Sequence, residues 1–239
     1  MRFLYIFPHP DDESFGPAAA MHQQLQDGHE VYLLTLTKGG ATKQRFRLGL
    51  SIEEMGEVRY KEMLDVRDTL GLTGMEVLDL PDSGLKEMDP RHIERVVAEH
   101  IQTVRPNIVV TYPVHGISGF HDHLVTHAVV KRVFLQMQES GADYLKRLAF
   151  MTMPDNEQSV FQQGGFRLKH SEKKLIDCII PLSQANIDMF IQCLACYATY
   201  KDTIEESGVI EKIGDRLYFE IFNESFDPVL SDLGDKLRQ

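Results

Sequence analysis

The stretch Phe3-Leu4-Tyr5-Ile6-Phe7-Pro8-His9-Pro10-Asp11-Asp12-Glu13 decides the reading of this chain. Its first five residues form an apolar run of the length of a buried strand. The run stops at a turn that packs one imidazole and three carboxyls into five residues. In open α/β sheets ligands bind at the C-terminal ends of the strands, which is where this cluster falls. Prolines on both sides of His9 fix φ and hold the preceding residues extended, so the turn is stiff. Like-charged acids crowded into a stiff turn repel one another, and a divalent cation would offset the repulsion. Histidine with carboxylate is a donor set that suits zinc or another borderline divalent ion. The competing reading is a helix start, with Asp11, Asp12 or Ser14 as N-cap and the acids favoured by the helix dipole. It leaves His9 and Pro10 without a role.

A second cluster follows the apolar segment Asn107-Ile108-Val109-Val110-Thr111-Tyr112. It runs Pro113-Val114-His115-Gly116-Ile117-Ser118-Gly119-Phe120-His121-Asp122-His123-Leu124-Val125-Thr126-His127, and it concentrates four of the chain's ten histidines just past a strand end. Two such clusters on one edge of a parallel sheet converge in space. They can supply His9, Asp12 and His123 as three protein ligands, leaving a fourth position for water, as catalytic zinc sites do.

The spacing and content of the two clusters resemble the PIG-L/LmbE-type zinc-dependent N-acetylglucosaminyl deacetylases over roughly residues 2–135. Weaker likenesses lie in Leu36-Thr37-Lys38-Gly39-Gly40-Ala41-Thr42, in Arg59-Tyr60-Lys61-Glu62, and in Asp79-Leu80-Pro81-Asp82-Ser83-Gly84-Leu85. Within the family the form Phe-Pro-His-Pro-Asp-Asp-Glu is most similar to the bacillithiol-type members. The resemblance implies a Rossmann-like strand order and a hydrolase acting on a small N-acetylated amino-sugar conjugate. Carried over residue by residue, it makes Asp11 the general base and later acid, and His9, Asp12 and His123 the zinc ligands. Asp122 is expected to orient an imidazole, with Glu13 and His127 as further supports behind the ligands. Arg59, whose alternative is an i,i+3 pair with Glu62, and Asp82 are expected to touch substrate, and Thr37, Lys38 and Gly39 to line the mouth. The chain departs from the family at one place: the histidine thought to stabilise the oxyanion aligns with Phe120, which cannot donate a hydrogen bond. His121 is the expected replacement, with His115 as the alternative donor.

Composition agrees with this class. A hydrophobic content of 43% and a charged content of 26% are ordinary for a globular protein. A net charge of −11 disfavours nucleic acid and anionic membrane as partners. No apolar stretch approaches the ~20 residues that span a bilayer. Cys178, Cys193 and Cys196 make no disulfide framework, and a cytoplasmic location is expected. Cys193 and Cys196 fall in an apolar stretch with helical spacing, where buried thiols act as small hydrophobes. A homo-oligomer is compatible with all of this.

Alternating apolar segments and helical patterns predict an α/β fold: a Rossmann-like, mostly parallel sheet with helices on both faces, a C-terminal helix and a late edge strand. Strands are expected at 2–7, 31–37, 76–80, 107–112 and 147–153. Helices are expected at about 16–28, 51–71, 90–104 and 122–139, with Asp89-Pro90 as a start signal and Gly28 and Gly71 as stops. The whole chain, 1–239, reads as one domain with a core at 1–153 and an elaboration at 154–239. In the elaboration, 154–174 reads as extended or loop, 183–206 as one amphipathic helix capped by Ser183, and Tyr218–Phe222 as the late strand. Three other functions remain to be weighed: an amidase of larger sugar–thiol conjugates, a sugar- or nucleotide-binding module with a vestigial metal site, and a metal phosphohydrolase starting from His121-Asp122. The last belongs to an all-helical class, which the alternating strands oppose.

Overall fold

The computed structural model describes residues 1–155, 162–163 and 166–237. Its strands are β1 (Arg2–Phe7), β2 (Glu30–Thr37), β3 (Gly74–Leu80), β4 (Ile108–Thr111), β5 (Arg147–Thr152), β6 (Gln162–Gln163), β7 (Phe166–Arg167), β8 (Cys178–Pro181) and β9 (Arg216–Ile221). Its helices are α1 (Ala18–Gln26), α2 (Gln44–Leu48), α3 (Ile52–Leu70), α4 (Pro90–Val104), α5 (His121–Glu139), α6 (Gln184–Ala195), α7 (Lys201–Ser207) and α8 (Val209–Lys212).

Seven strands form one sheet in the order β3-β2-β1-β4-β5-β9-β8. The first five are parallel; β9 and β8 add antiparallel at one side. The order 3-2-1-4-5 reverses between β1 and β4, and the crevice beyond those two strand ends is the usual ligand site of such sheets. β1 is apolar throughout because both of its faces are covered. Phe3, Tyr5 and Phe7 pack toward α1, α3 and α6, while Leu4 and Ile6 pack toward α4 and α5.

Helix boundaries follow local chemistry. Ser51 and Glu54 form a reciprocal capping box at the start of α3, and Gly71 closes it in the left-handed conformation. Asp89 caps α4, with Pro90 at its first position.

The C-terminal part departs from the sequence expectation in three ways. The single helix expected at 183–206 is broken after Ala195 into α6, a 3-10 turn at Ala198–Tyr200 and α7. The break is tertiary in origin: Glu62 on α3 receives both the amide and the hydroxyl of Thr199, each at 2.8 Å, which a continuous helix could not offer. The late strand β9 is paired on both sides, and β8, which sequence reasoning missed, forms the edge. β8 is only four residues long, too short to show a period. Of the loop expected at 154–174, residues 156–161 and 164–165 lie outside the described residues, and β6 and β7 pair as a small antiparallel ribbon.

Candidate metal centre

The turn after β1 and the loop after β4 meet at the switch point. His9, Asp12 and His123 each offer a donor atom, and these atoms lie within 4.8 Å of one another. Each is held by a partner that suits it for a cation. His123 Nδ1 lies 2.9 Å from the Gly116 carbonyl, an acceptor only, so Nδ1 carries the proton and Nε2 is left with its lone pair facing Asp12 Oδ1 at 3.4 Å. The ring also stacks on Tyr112, centroid to centroid 4.2 Å. Gly116 is required here: its φ is +62°, and an added Cβ would lie 2.8 Å from His123 Cβ. Asp12 accepts the Tyr112 hydroxyl at 2.6 Å and the His9 amide at 2.9 Å.

His9 is gripped from the other side. Its Nε2 lies 3.2 Å from Asp122 and 3.3 Å from Asp82, both acceptors, which leaves Nδ1 on the Asp12 side. Asp122 is in turn fixed by the amides of Ser83 and Leu85. Burial pushes the His9 pKa down, but Asp12, Asp122 and Asp82 outweigh it and bring it up to about 10. Burial alone would raise Asp12; the His123 and His9 imidazoles and the Tyr112 hydroxyl beside it bring it down to about 2. Burial lowers the pKa of His123. The pocket thus holds an excess of carboxylate and a neutral imidazole aimed at it, and this donor set fits a divalent metal.

Asp11 stands beside this set and is held separately. Its φ is +85°, a conformation that L-residues other than glycine seldom adopt. Its Oδ2 accepts Arg59 Nη2 at 2.6 Å, and its amide donates to the Tyr197 hydroxyl at 2.8 Å. Burial raises its pKa to about 7 against the lowering charge of Arg59.

Several of the expected residues are engaged by neighbours in the chain. Arg59 is 2% exposed, and among the described residues it does not pair with Glu62. Its donors go to Asp11, to the carbonyls of Pro10 and Gly39, and to Tyr200, whose ring it covers at 4.2 Å. A Cβ on Gly39 would lie 2.5 Å from Arg59 Nη1, so the glycine is what lets the guanidinium in. Asp82 is drawn into the cluster beside His9 and accepts the Ala41 amide. Thr37 is buried and bonds the Pro8 carbonyl, and Lys38 pairs with Glu57 and Asp79. Glu13 is buried, its pKa raised by burial, and one of its oxygens accepts both Ser14 and Tyr197 hydroxyls. His127 lies behind the ligands: Nδ1 meets the Tyr112 carbonyl at 2.9 Å and the ring packs on Phe150. His115 is engaged at both nitrogens, with the Ile117 amide and Ser171. His121 is exposed at the first position of α5 and makes no hydrogen bond or ion pair among the described residues. Tyr112, Tyr197 and Gly116 were missed as site residues. Tyr112 alone left a signal, a phenol directly after β4 and at the head of the second histidine cluster.

An α/β sheet with a two-histidine, one-carboxylate donor set at its switch point defines an α/β protein with a divalent-metal-type centre. The chain belongs to the PIG-L family, described as GlcNAc-PI de-N-acetylase, whose model matches residues 4–134. It is 32% identical over 161 residues to a mycothiol S-conjugate amidase of Streptomyces coelicolor, covering 60% of this chain and 53% of that one. A 1D-myo-inositol 2-acetamido-2-deoxy-alpha-D-glucopyranoside deacetylase of Thermomonospora curvata is 32% identical over 163 residues, covering 59% and 54%. The chain therefore spans about half the length of the curated relatives it matches. Among solved structures, a deacetylase of the teicoplanin biosynthesis pathway superposes with a TM-score of 0.71 at 16% identity, covering 94% of this chain and all of that one, which shows the shared fold.

Proposed function

We propose that this chain is a zinc-dependent hydrolase that removes the acetyl group from an N-acetylglucosaminyl conjugate. The observation that carries the reading is the convergence of His9, Asp12 and His123 next to an independently held Asp11. The metal, when bound by those three residues, supplies Lewis acidity and makes a water easier to ionise. Asp11 does the proton work. Arg59 occupies Oδ2, and Oδ1 accepts no hydrogen bond among the described residues, so it is the atom that takes the proton of the attacking water. The water oxygen bonds to the acetyl carbon, the C–N bond breaks, and Asp11 passes its proton to the departing amine. A pKa near 7 suits a group that must both take and give a proton.

His121 is the donor we assign to the developing oxyanion. Two observations support it: Phe120 has no donor, and both nitrogens of His115 are already engaged. The small-molecule substrate is an N-acetylated amino-sugar conjugate, and the form of the first motif supports a bacillithiol-type precursor. The likeness to the mycothiol S-conjugate amidase favours a second reading, in which the same residues cleave a larger acyl group. Among the described residues no helix is long and apolar enough to cross a membrane, which agrees with a cytoplasmic location.

The test is to incubate zinc-loaded protein with N-acetylglucosamine glycosides and with bulky sugar–thiol conjugates, and to measure freed amine and acetate. Acetate release that chelation abolishes and zinc restores is expected. Cleavage confined to the bulky conjugates would select the amidase, and binding without turnover of either class would refute a hydrolytic role.

A further inference from the structure

Asp11 is held from the far end of the chain. Tyr197 is 1% exposed, and its hydroxyl accepts the Asp11 amide at 2.8 Å while donating to Glu13 Oε1 at 2.7 Å. Its neighbours fix it in turn. Glu62 binds the amide and hydroxyl of Thr199, and Arg59 covers the Tyr200 ring. The same Arg59 pairs with the Asp11 carboxylate. The helix break after Ala195 therefore places one phenol on the backbone of Asp11 at the residue with φ +85°. A peptide unit in that conformation aims its side chain in a direction that an ordinary turn would not give.

We propose that Tyr197, outside the stretch matched by the family model, is a positioning residue for Asp11: it fixes the strained peptide whose carboxyl serves as base. The inference rests on the deacetylase reading for its kinetic consequence and on geometry alone for the contact. Arg59 holds the carboxylate, Tyr197 holds the backbone, and Glu13 orients the tyrosine O–H. With the amide released, the carboxyl keeps its charge and its arginine but loses its fixed aim. A displacement on the order of 1 Å at a reacting group costs ~10²-fold in rate.

Tyr197→Phe keeps the buried ring and removes only the hydroxyl. Expected results are a ~10–100-fold fall in kcat, an unchanged KM, unchanged zinc stoichiometry, and faster hydrogen exchange at the Asp11 amide by NMR. Tyr200→Phe, on the same segment but not on Asp11, should leave that exchange at its wild-type rate. Should Tyr197→Phe not fold, Glu13→Gln, which weakens the acceptor that orients the phenol, should show the same pattern in smaller size. Unchanged protection of the Asp11 amide overturns the proposal, and so does a kcat loss that only follows the folded fraction. A wild-type protein that hydrolyses no amide would sink the functional reading, while the exchange comparison still decides the contact.

Discussion

The two turns that build the centre are held in opposite ways. The turn after β1 is tied down from afar: the Pro8 and Pro10 carbonyls, both sides of Asp11 and the Glu13 carboxyl bond to Thr37, Arg59 and Tyr197. The loop after β4 is closed mostly on itself, through Gly116 with His123, Ser118 with His123, and His115 with Ile117. Its outward side chains, Val114 at 68% and Phe120 at 45%, are exposed. On the proposed reading the first turn would carry the proton chemistry and two of the metal-holding residues, and tertiary structure fixes it from several sides. The second would deliver the third and leaves a rim free to differ. On that reading the difference separates what sets the reaction from what can set the substrate.

The largest expected effect breaks the first turn. Asp11→Asn keeps the shape but cannot take a proton, so kcat should fall ~10²–10⁴-fold with zinc content near wild type. Metal lost with the rate preserved would exchange the roles assigned to the two aspartates. At the second turn, His121→Ala should lower kcat ~10²–10³-fold with little change in KM, as loss of an oxyanion donor does. An inert His121→Ala paired with an impaired His115→Ala would move the donor to His115. Weaker still is Tyr112→Phe, which removes the Asp12 hydrogen bond. Competitive zinc titration should show affinity reduced ~10–100-fold, and unchanged affinity would mean that Asp12 needs no support from the strand. Smallest is Asp89→Ala, at the exposed N-cap of α4. It should cost about 1 kcal/mol of stability by denaturant unfolding, as loss of an N-cap does, and leave turnover untouched.

The half of the molecule built from β1 to β5 was legible because its signals are local. Apolar runs, Ser51, Gly71 and Asp89-Pro90 mark elements without reference to anything distant. His9, Asp12 and His123, which the structure brings together, were legible for the same reason, each falling in a polar cluster that follows an apolar strand. What escaped depends on contacts across the chain. Periodicity ran straight through Ala195–Tyr197 because the break there is imposed by Glu62, Glu13 and Asp11. Arg59 read as a substrate contact or a partner of Glu62, because nothing nearby in sequence reveals a cradle made by Gly39, Pro10 and Tyr200.

The Tyr197–Asp11 contact joins residues 186 positions apart, and this separation has a consequence for biosynthesis. A domain generally folds as a unit as its chain leaves the ribosome. On the proposed reading, a nascent chain that has released only the family-matched stretch carries every metal-holding residue but not the tyrosine that ties its base. Competence would then wait for the last third of the polypeptide.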